Sequence, residues 1–187
     1  MTIPASLDER FRERAAAAGE LDVAYTLTDS PVGDLLVAAT NRGVCRISFD
    51  PEPERELEWL GRAYGLRVLR ASGPLDEPRR ELDEYFDGKR KEFGVPVDLE
   101  ALPSFQQLVL AELLRVPYGA TATYGGLAER IGRPRAARAV GGALNKNPVP
   151  IVVPCHRIVG ASGSLVGYAG GLERKEKLLT LEGAVLA

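Results

Sequence analysis

Thr123–Arg157 reads TYGGLAERIGRPRAARAVGGALNKNPVPIVVPCHR. Its first part holds two helical segments separated by Gly132-Arg133-Pro134. Helix, short glycine-containing turn, helix is the helix-turn-helix pattern. Thr123 can cap the first segment, Tyr124 to Ile131. The second starts near Pro134 and runs to about Leu144, with Asn145 to Pro148 ending it. Ala136, Ala137, Ala139, Gly141, Gly142 and Ala143 leave this second segment thin, and Arg138 is the one long side chain in its middle. Two adjacent glycines cost roughly 1 kcal/mol each relative to alanine in a helix interior. Such a helix is expected to bring its backbone close to another surface, either a neighbouring helix or nucleic acid. The second part is an apolar run that Pro154 is expected to end as a strand, because proline has no N–H and a fixed φ. Cys155 and His156 follow at once.

The chain has two cysteines and one histidine, so this pair holds half of one type and all of the other. A thiol is a nucleophile as thiolate, and its free pKa lies near 8.5. His156 and Arg157 are placed to lower it. The competing reading is structural: cysteine is among the most buried residue types, and an adjacent histidine is often mere packing. Adjacent side chains also diverge, so a thiol–imidazole relay here needs a bridging water.

At 187 residues, 45% hydrophobic and 27% charged, the chain has the composition of an ordinary globular protein with one large domain or two small ones. No apolar run is long enough to span a membrane. Met1 to Glu20 is charged and alanine-rich, without an apolar signal core. Two cysteines make no disulfide framework, which points to a reducing cytoplasm, and with one histidine they leave little material for zinc. The net charge of −2 conceals an asymmetry. Residues 1–100 carry 14 Lys/Arg against 21 Asp/Glu, and residues 101–187 carry 10 against 5. The basic half, which contains Cys155, would attract a polyanion.

The acidic half predicts an α/β unit. Asp8 to Ala18 reads as a helix, then Val23–Thr28, Leu35–Ala39 and Val44–Phe49 as a three-strand meander turning at Asn41-Arg42-Gly43. Glu54–Tyr64 and Leu75–Phe86 read as helices, Leu66–Leu69 as a strand, and the alternation of Phe93, Val95 and Val97 as a last strand. Cys45 is read as core, and Trp59, Tyr64 and Tyr85 as packing residues. Asp98 to Pro103 reads as a linker.

In the basic half, Ser104-Phe105-Gln106-Gln107 has the form of a capping box before an apolar helix reaching Arg115. Arg115, Arg130, Arg133, Arg135, Arg138, Lys146 and Arg157 surround the thin helix, with only Glu129 opposing them. A thin helix with one projecting arginine suits entry into a minor groove. Val159 to Gly171 is a Gly- and Ser-rich loop able to wrap a planar ligand, and Glu173 to Leu181 reads as a final helix. A carboxylate at its end could orient His156.

Tyr124, the RAVGGALNKNP segment from Arg138, PCHR at 154–157, GYAGG at 167–171 and LEG at 181–183 together resemble the O6-alkylguanine-DNA alkyltransferases, the methylated-DNA–protein-cysteine methyltransferases. The likeness is dense over residues 104–183 and weaker in SPVGDLLVAATNRGVCRISF at 30–49. It implies an α/β fold: an N-terminal ribonuclease-H-like domain with a small sheet at residues 1–97, a linker at 98–103, and a C-terminal winged helix-turn-helix-like domain at 104–187. The implied function is DNA repair by direct damage reversal. A single-turnover transferase would move an alkyl group from O6-alkylguanine, and O4-alkylthymine, in double-stranded DNA to Cys155. His156 would act as base through a water, Glu182 would orient the imidazole, and Tyr124 would donate to N3 of the flipped base. Arg138 would replace the extruded base, with Arg135, Ala137, Gly141 and Lys146 along the DNA. Asn147 would be a hinge. The carbonyls of Cys155 and Ile158 would receive the guanine amino group, Tyr168 would wall the pocket, and the N–H of Ala169 would meet O6. No cofactor is implied, and the protein is expected to be a cytoplasmic monomer. Some relatives carry serine where this chain has Ala169, and some bind zinc through N-terminal Cys and His. With only Cys45 and no histidine there, zinc is not expected. The alternatives are a DNA-binding or lesion-marking module without chemistry, against which Cys155 counts, and a cysteine hydrolase or redox sensor, for which Cys45 is the only second thiol.

Overall fold

In a computed structural model, which describes residues 5–184, the meander forms as read. Strands β1 (Val23–Thr28), β2 (Leu35–Thr40) and β3 (Gly43–Phe49) pair antiparallel, and β4 (Val68–Arg70) adds parallel to β1, giving the order β3-β2-β1-β4. β2 is buried from Leu35 to Ala39, which is why it reads LLVAA without alternation. Helices α1 (Ala5–Ala17), α2 (Pro53–Tyr64) and α3 (Asp76–Phe86) complete this unit. Val23, Leu36, Ala38, Cys45 and Leu60 form its core, with Trp59 and Tyr64 packed against them, so Cys45 is a core residue. Gly43 holds φ 142°, and a Cβ there would lie 2.3 Å from the Pro96 carbonyl oxygen, so no other residue fits.

Two expectations fail here. Phe93–Val97 is no strand: a single bridge joins Val44 and Val97. The N–H groups of Gly94 and Val95 donate instead to the Glu81 carboxylate, at 2.8 and 3.2 Å. Leu66, expected in the fourth strand, precedes it and is 91% exposed.

The chain divides into two compact units, one running up to Tyr85 and including Gly94–Ala101, the other formed by Phe86–Phe93 and the chain from Leu102 onward. Asp98 lies in the first, where its fully buried carboxylate accepts from Thr40 Oγ1 at 2.6 Å and Arg42 Nε at 3.1 Å.

The second unit is mainly helical. Helix α4 (Ser104–Leu113) buries Gln106, Val109, Leu110 and Leu113, spaced i, i+3, i+4, i+7. The capping box does not form: Pro103 is the N-cap residue, Ser104 is already helical, and the Gln107 side chain donates back to the Leu102 carbonyl at 2.8 Å. Strand β5 (Ala122–Thr123) leads into α5 (Tyr124–Arg130), which Thr123 caps by accepting from the Gly126 N–H at 3.0 Å. Gly132, at φ 72°, makes the turn to α6 (Ala137–Asn145), whose Val140, Ala143 and Leu144 face inward. Arg135 therefore precedes the helix that was expected to contain it.

The run before Cys155 is not a strand either. Pro148, Pro150 and Pro154 remove three donors from it, and the chain turns, with Ile151 at φ 75° and fully buried. A 3-10 turn holds Cys155–Arg157, and β6 (Ile158–Val159) then pairs parallel with β5. Helix α7 (Leu172–Leu181) closes the unit, with Glu182 as its C-cap and Gly183 at φ 66° after it. Among the described residues no helix is long and apolar enough to cross a membrane, and no group of three His, Cys, Asp or Glu could hold a metal ion.

Candidate active site

Of the two adjacent residues in the 3-10 turn, Cys155 lines a cavity and His156 does not. Cys155 is 8% exposed, and the cavity holds about 400 Å³. One wall is α6, with Ala137, Arg138, Gly141, Leu144 and Asn145, and another is the loop Val166–Ala169. Arg138 is exposed, as are Arg135 and Lys146. Arg135 does not line this cavity; it lines a neighbouring one with Arg133 and the rest of the turn before α6. Of the two helix glycines, Gly141 lies beside the Tyr124 ring, where a Cβ would be 3.6 Å away, and Gly142 has nothing within 4 Å. Neighbour packing thus accounts for neither glycine's small size: the Gly142 face is open.

Behind the thiol, His156 is fully buried. Its Nε2 lies 2.8 Å from Glu182 Oε1. Arg157 brackets the same carboxylate, with Nε on Oε2 at 2.8 Å and Nη2 on Oε1 at 2.9 Å, and the Gly119 N–H donates to Oε2 at 3.3 Å. Burial alone would raise the Glu182 carboxyl, but the hydrogen bonds from His156 and Arg157 pull it down to about 2. It is therefore ionised at neutral pH, and Nε2 of His156 must donate to it. Nδ1 is then the unprotonated nitrogen, and it is buried with no hydrogen-bond partner in the protein. Burial lowers the pKa of the imidazole, against the pull of Glu182, so it rests neutral with its basic nitrogen free.

The sulfur has its own set of contacts. Asn147 Nδ2 donates to Sγ at 3.1 Å and to the Val153 carbonyl at 2.8 Å, while its Oδ1 accepts from the Val149 N–H at 3.1 Å. Burial pushes the Cys155 thiol up to about 11, against Asn147, nearby backbone N–H groups and the charge on Lys175. The resting thiol is protonated, contrary to the standing thiolate expected from its sequence neighbours. Its proton has to be taken at the moment of reaction.

The cavity mouth is held by Tyr124, whose hydroxyl is shared between the Val166 and Gly167 carbonyls at 3.2 and 3.1 Å. Burial, then the neighbouring Cys155, raises the pKa of this phenol, which keeps it a proton donor. Tyr168 and Ala169 line the cavity. Ile158 is fully buried, and its carbonyl already accepts from Lys175 Nζ at 2.5 Å.

Sequence reasoning missed Lys175. It is fully buried, and its ammonium also donates to the Val166 carbonyl at 2.7 Å, joining the strand after the thiol to the loop across the cavity. Burial pulls its pKa down to about 8, with Cys155 acting in the opposite sense. A signal was present: Lys175, Leu178, Leu179 and Glu182 repeat at i, i+3, i+4, i+7, so two charges sit on the inward stripe of α7. Lys175→Met, which keeps the volume and removes the charge, is expected to slow the reaction of Cys155 with iodoacetamide about tenfold and move the rate profile to higher pH, as for any thiol losing a cation. Rates between pH 6 and 10 check this.

The chain matches two family profiles. One is the 6-O-methylguanine DNA methyltransferase, ribonuclease-like domain, over residues 23–99. The other is the 6-O-methylguanine DNA methyltransferase, DNA binding domain, over residues 104–184. It is 43% identical over 159 residues to the methylated-DNA–protein-cysteine methyltransferase of Mycobacterium leprae, covering 82% of this chain and 88% of that one. It is 41% identical over 164 residues to that of Methanosarcina acetivorans, covering 86% and 98%. Among solved structures, Mycobacterium tuberculosis O6-methylguanine methyltransferase aligns with a TM-score of 0.73 at 40% identity, over 86% of this chain and 93% of that one. Mycobacterium tuberculosis OGT in complex with DNA aligns with a TM-score of 0.75 at 40% identity, over 86% and 92%.

Proposed function

The chain belongs to the 6-O-methylguanine DNA methyltransferase family, and from that premise we propose how its residues carry out the reaction. The protein repairs DNA directly, as a methylated-DNA–protein-cysteine methyltransferase that takes an alkyl group onto its own cysteine. Its partner is DNA. The lesion is O6-alkylguanine in a duplex, with O4-alkylthymine a second substrate, and one monomer acts in a reducing cytoplasm. The observation that carries the assignment of the acceptor is the placement of Cys155: its sulfur lies in the same cavity as Arg138 and the thin start of α6, with a carboxylate-backed imidazole beside it in sequence.

The α6 helix enters the minor groove, its glycine face letting the backbone approach. Arg138 fills the space left by the extruded nucleotide, while Arg135 and Lys146 hold phosphates. Flipping costs a few kcal/mol, which Arg138 partly offsets. The flipped base displaces the Tyr124 hydroxyl from the Val166 and Gly167 carbonyls and takes it at N3. Tyr168 and the N–H of Ala169 hold the ring and O6. The exocyclic amine meets the Cys155 carbonyl and the second lone pair of the Ile158 carbonyl.

A water carries the Cys155 proton to His156 Nδ1. The thiolate attacks the alkyl carbon, the S–C bond forms as the C–O6 bond breaks, and the electron pair leaves on guanine. Tyr124 protonates N3, so guanine departs neutral, and the imidazolium returns the proton to the phenolate. Glu182 stabilises the imidazolium while it lasts. The thioether stays, and no group in the cavity removes it.

Incubation of the chain with duplex containing O6-methylguanine is expected to add one methyl per molecule, on the peptide with Cys155. A methyl found elsewhere, or none, overturns the assignment. Arg138→Ala is expected to slow repair in duplex roughly thirtyfold, about 2 kcal/mol of lost compensation for flipping. Its reaction with free O6-benzylguanine should change less than threefold. Equal losses on the two substrates would remove the base-flipping role.

A further inference from the structure

We propose that Gln106 is a positioning residue for the acceptor thiol: its side-chain amide ties the end of α6 to α4 and thereby holds Asn147 against the sulfur. This rests on Cys155 being the reactive thiol. Gln106 occupies the buried stripe of α4 with Val109, Leu110 and Leu113, where an apolar side chain would pack. A buried amide in that place has to find partners. Its Nε2 donates to the Lys146 carbonyl at 2.8 Å and reaches the Ala143 carbonyl at 3.4 Å. The Ala143 carbonyl, in the last turn of α6, also accepts from the Lys146 N–H at 3.2 Å, and the Lys146 carbonyl lies one residue past the helix, where intrahelical donors have run out.

The Lys146 carbonyl matters because it shares a planar peptide group with the Asn147 nitrogen. That plane is held from both sides. Gln106 donates to its oxygen, and its N–H donates to the Leu144 carbonyl at 3.1 Å. With the plane fixed, the Asn147 Cα is placed, and its φ and two side-chain torsions set the Nδ2 that sits 3.1 Å from Sγ. This donor is the largest influence drawing the thiol towards ionisation. Gln106 touches neither base nor sulfur; it acts through the Lys146–Asn147 peptide. It also joins the part of α6 that ends at the thiol to a helix away from the cavity, so the start of α6 can meet DNA while its end stays in register.

The test uses the full chain and the reaction of Cys155 with iodoacetamide, followed by intact mass between pH 6 and 11. Gln106→Met keeps the volume and removes the donor. Its profile is expected to shift to higher pH by about half a unit or more, the direction for a thiolate losing a hydrogen bond. Val109→Ala, on the same stripe but without a bond to α6, is expected to keep the wild-type profile. Superimposed profiles for Gln106→Met and wild type, or an equal shift in Val109→Ala, overturn the proposal. Should Gln106→Met not fold, coupling is read in reverse on the wild type, because coupling between two sites is reciprocal. Carbamidomethylation adds bulk at the Cys155 sulfur and leaves it a weaker acceptor for Asn147 Nδ2, and the Gln106 side-chain amide protons are expected to exchange at least threefold faster; unchanged exchange overturns the proposal. Neither measurement involves DNA. Failure of methyl transfer in the wild type would strike the functional reading, and failure here would strike only Gln106.

Discussion

Cys155→Ala is expected to bind alkylated duplex as wild type does and to transfer nothing. Binding should survive because the groups assigned to DNA, Arg138, Arg135 and Lys146, are exposed and untouched by the change. The fold should survive as well. Asn147 loses Sγ but keeps the Val153 carbonyl at 2.8 Å and the Val149 N–H at 3.1 Å, so its amide is not left unpaired. Truncating a thiol of this size costs roughly 1 kcal/mol. Transfer has no substitute acceptor. Cys45 is fully buried in the core of the other unit, and burial, with Asp98 adding to it, pushes its thiol up to about 12. Gel-shift affinity for an O6-methylguanine duplex and intact mass after overnight incubation check both halves. Any methyl gained by the variant would mean that the acceptor lies elsewhere.

Much of this site was legible because it is local in sequence. Thr123 caps α5, the glycine turn precedes α6, and Pro154-Cys155-His156-Arg157 stands as one tetrapeptide. The meander was legible because strand alternation and a tight turn are short-range signals. What was misread depends on distant partners. Phe93, Val95 and Val97 alternate as a strand should, yet Glu81, from α3, captures the N–H groups of Gly94 and Val95. The Val149–Val153 run has strand composition, but Pro150 within it and Pro148 and Pro154 at its ends cannot donate to a ladder. The apparent capping box fails because Pro103 already fits the N-cap conformation, which moves Ser104 into the helix. In the sequence Arg157 stands as one more cation near the thiol. Its guanidinium instead grips Glu182 and donates to the Val116 carbonyl at 2.6 Å, so it serves the carboxylate rather than the sulfur.

That grip makes Glu182→Gln the most damaging isosteric change. Both carboxylate oxygens face donors only: His156 Nε2 and Arg157 Nη2 at Oε1, Arg157 Nε and the Gly119 N–H at Oε2. A glutamine has to turn its NH2 towards one pair. Turned towards Oε2, it meets Arg157 Nε and Gly119, and a buried guanidinium loses its counter-charge. Turned towards Oε1, it meets His156, which then accepts at Nε2 and carries its proton on Nδ1. That tautomer has no basic nitrogen left for the thiol proton. Breaking a buried ion pair from one side costs about 3–5 kcal/mol. For a chain of this length, about 10 °C of melting temperature is expected to be lost at pH 7. Transfer should fall roughly a hundredfold, the worth of a placed general base. The pH dependence separates this from unspecific damage. The folded-state pKa of Glu182 is lowered to about 2, below the ordinary 4.5. Its contribution is therefore complete above pH 4.5 and is lost as pH falls towards 2. The gap in melting temperature between wild type and Glu182→Gln is expected to hold from pH 7 to about 5 and to narrow below it. Parallel melting curves down to pH 2.5, or a variant that melts within about 1 °C of wild type at pH 7, would show that Glu182 does not sit as an ionised carboxylate between His156 and Arg157.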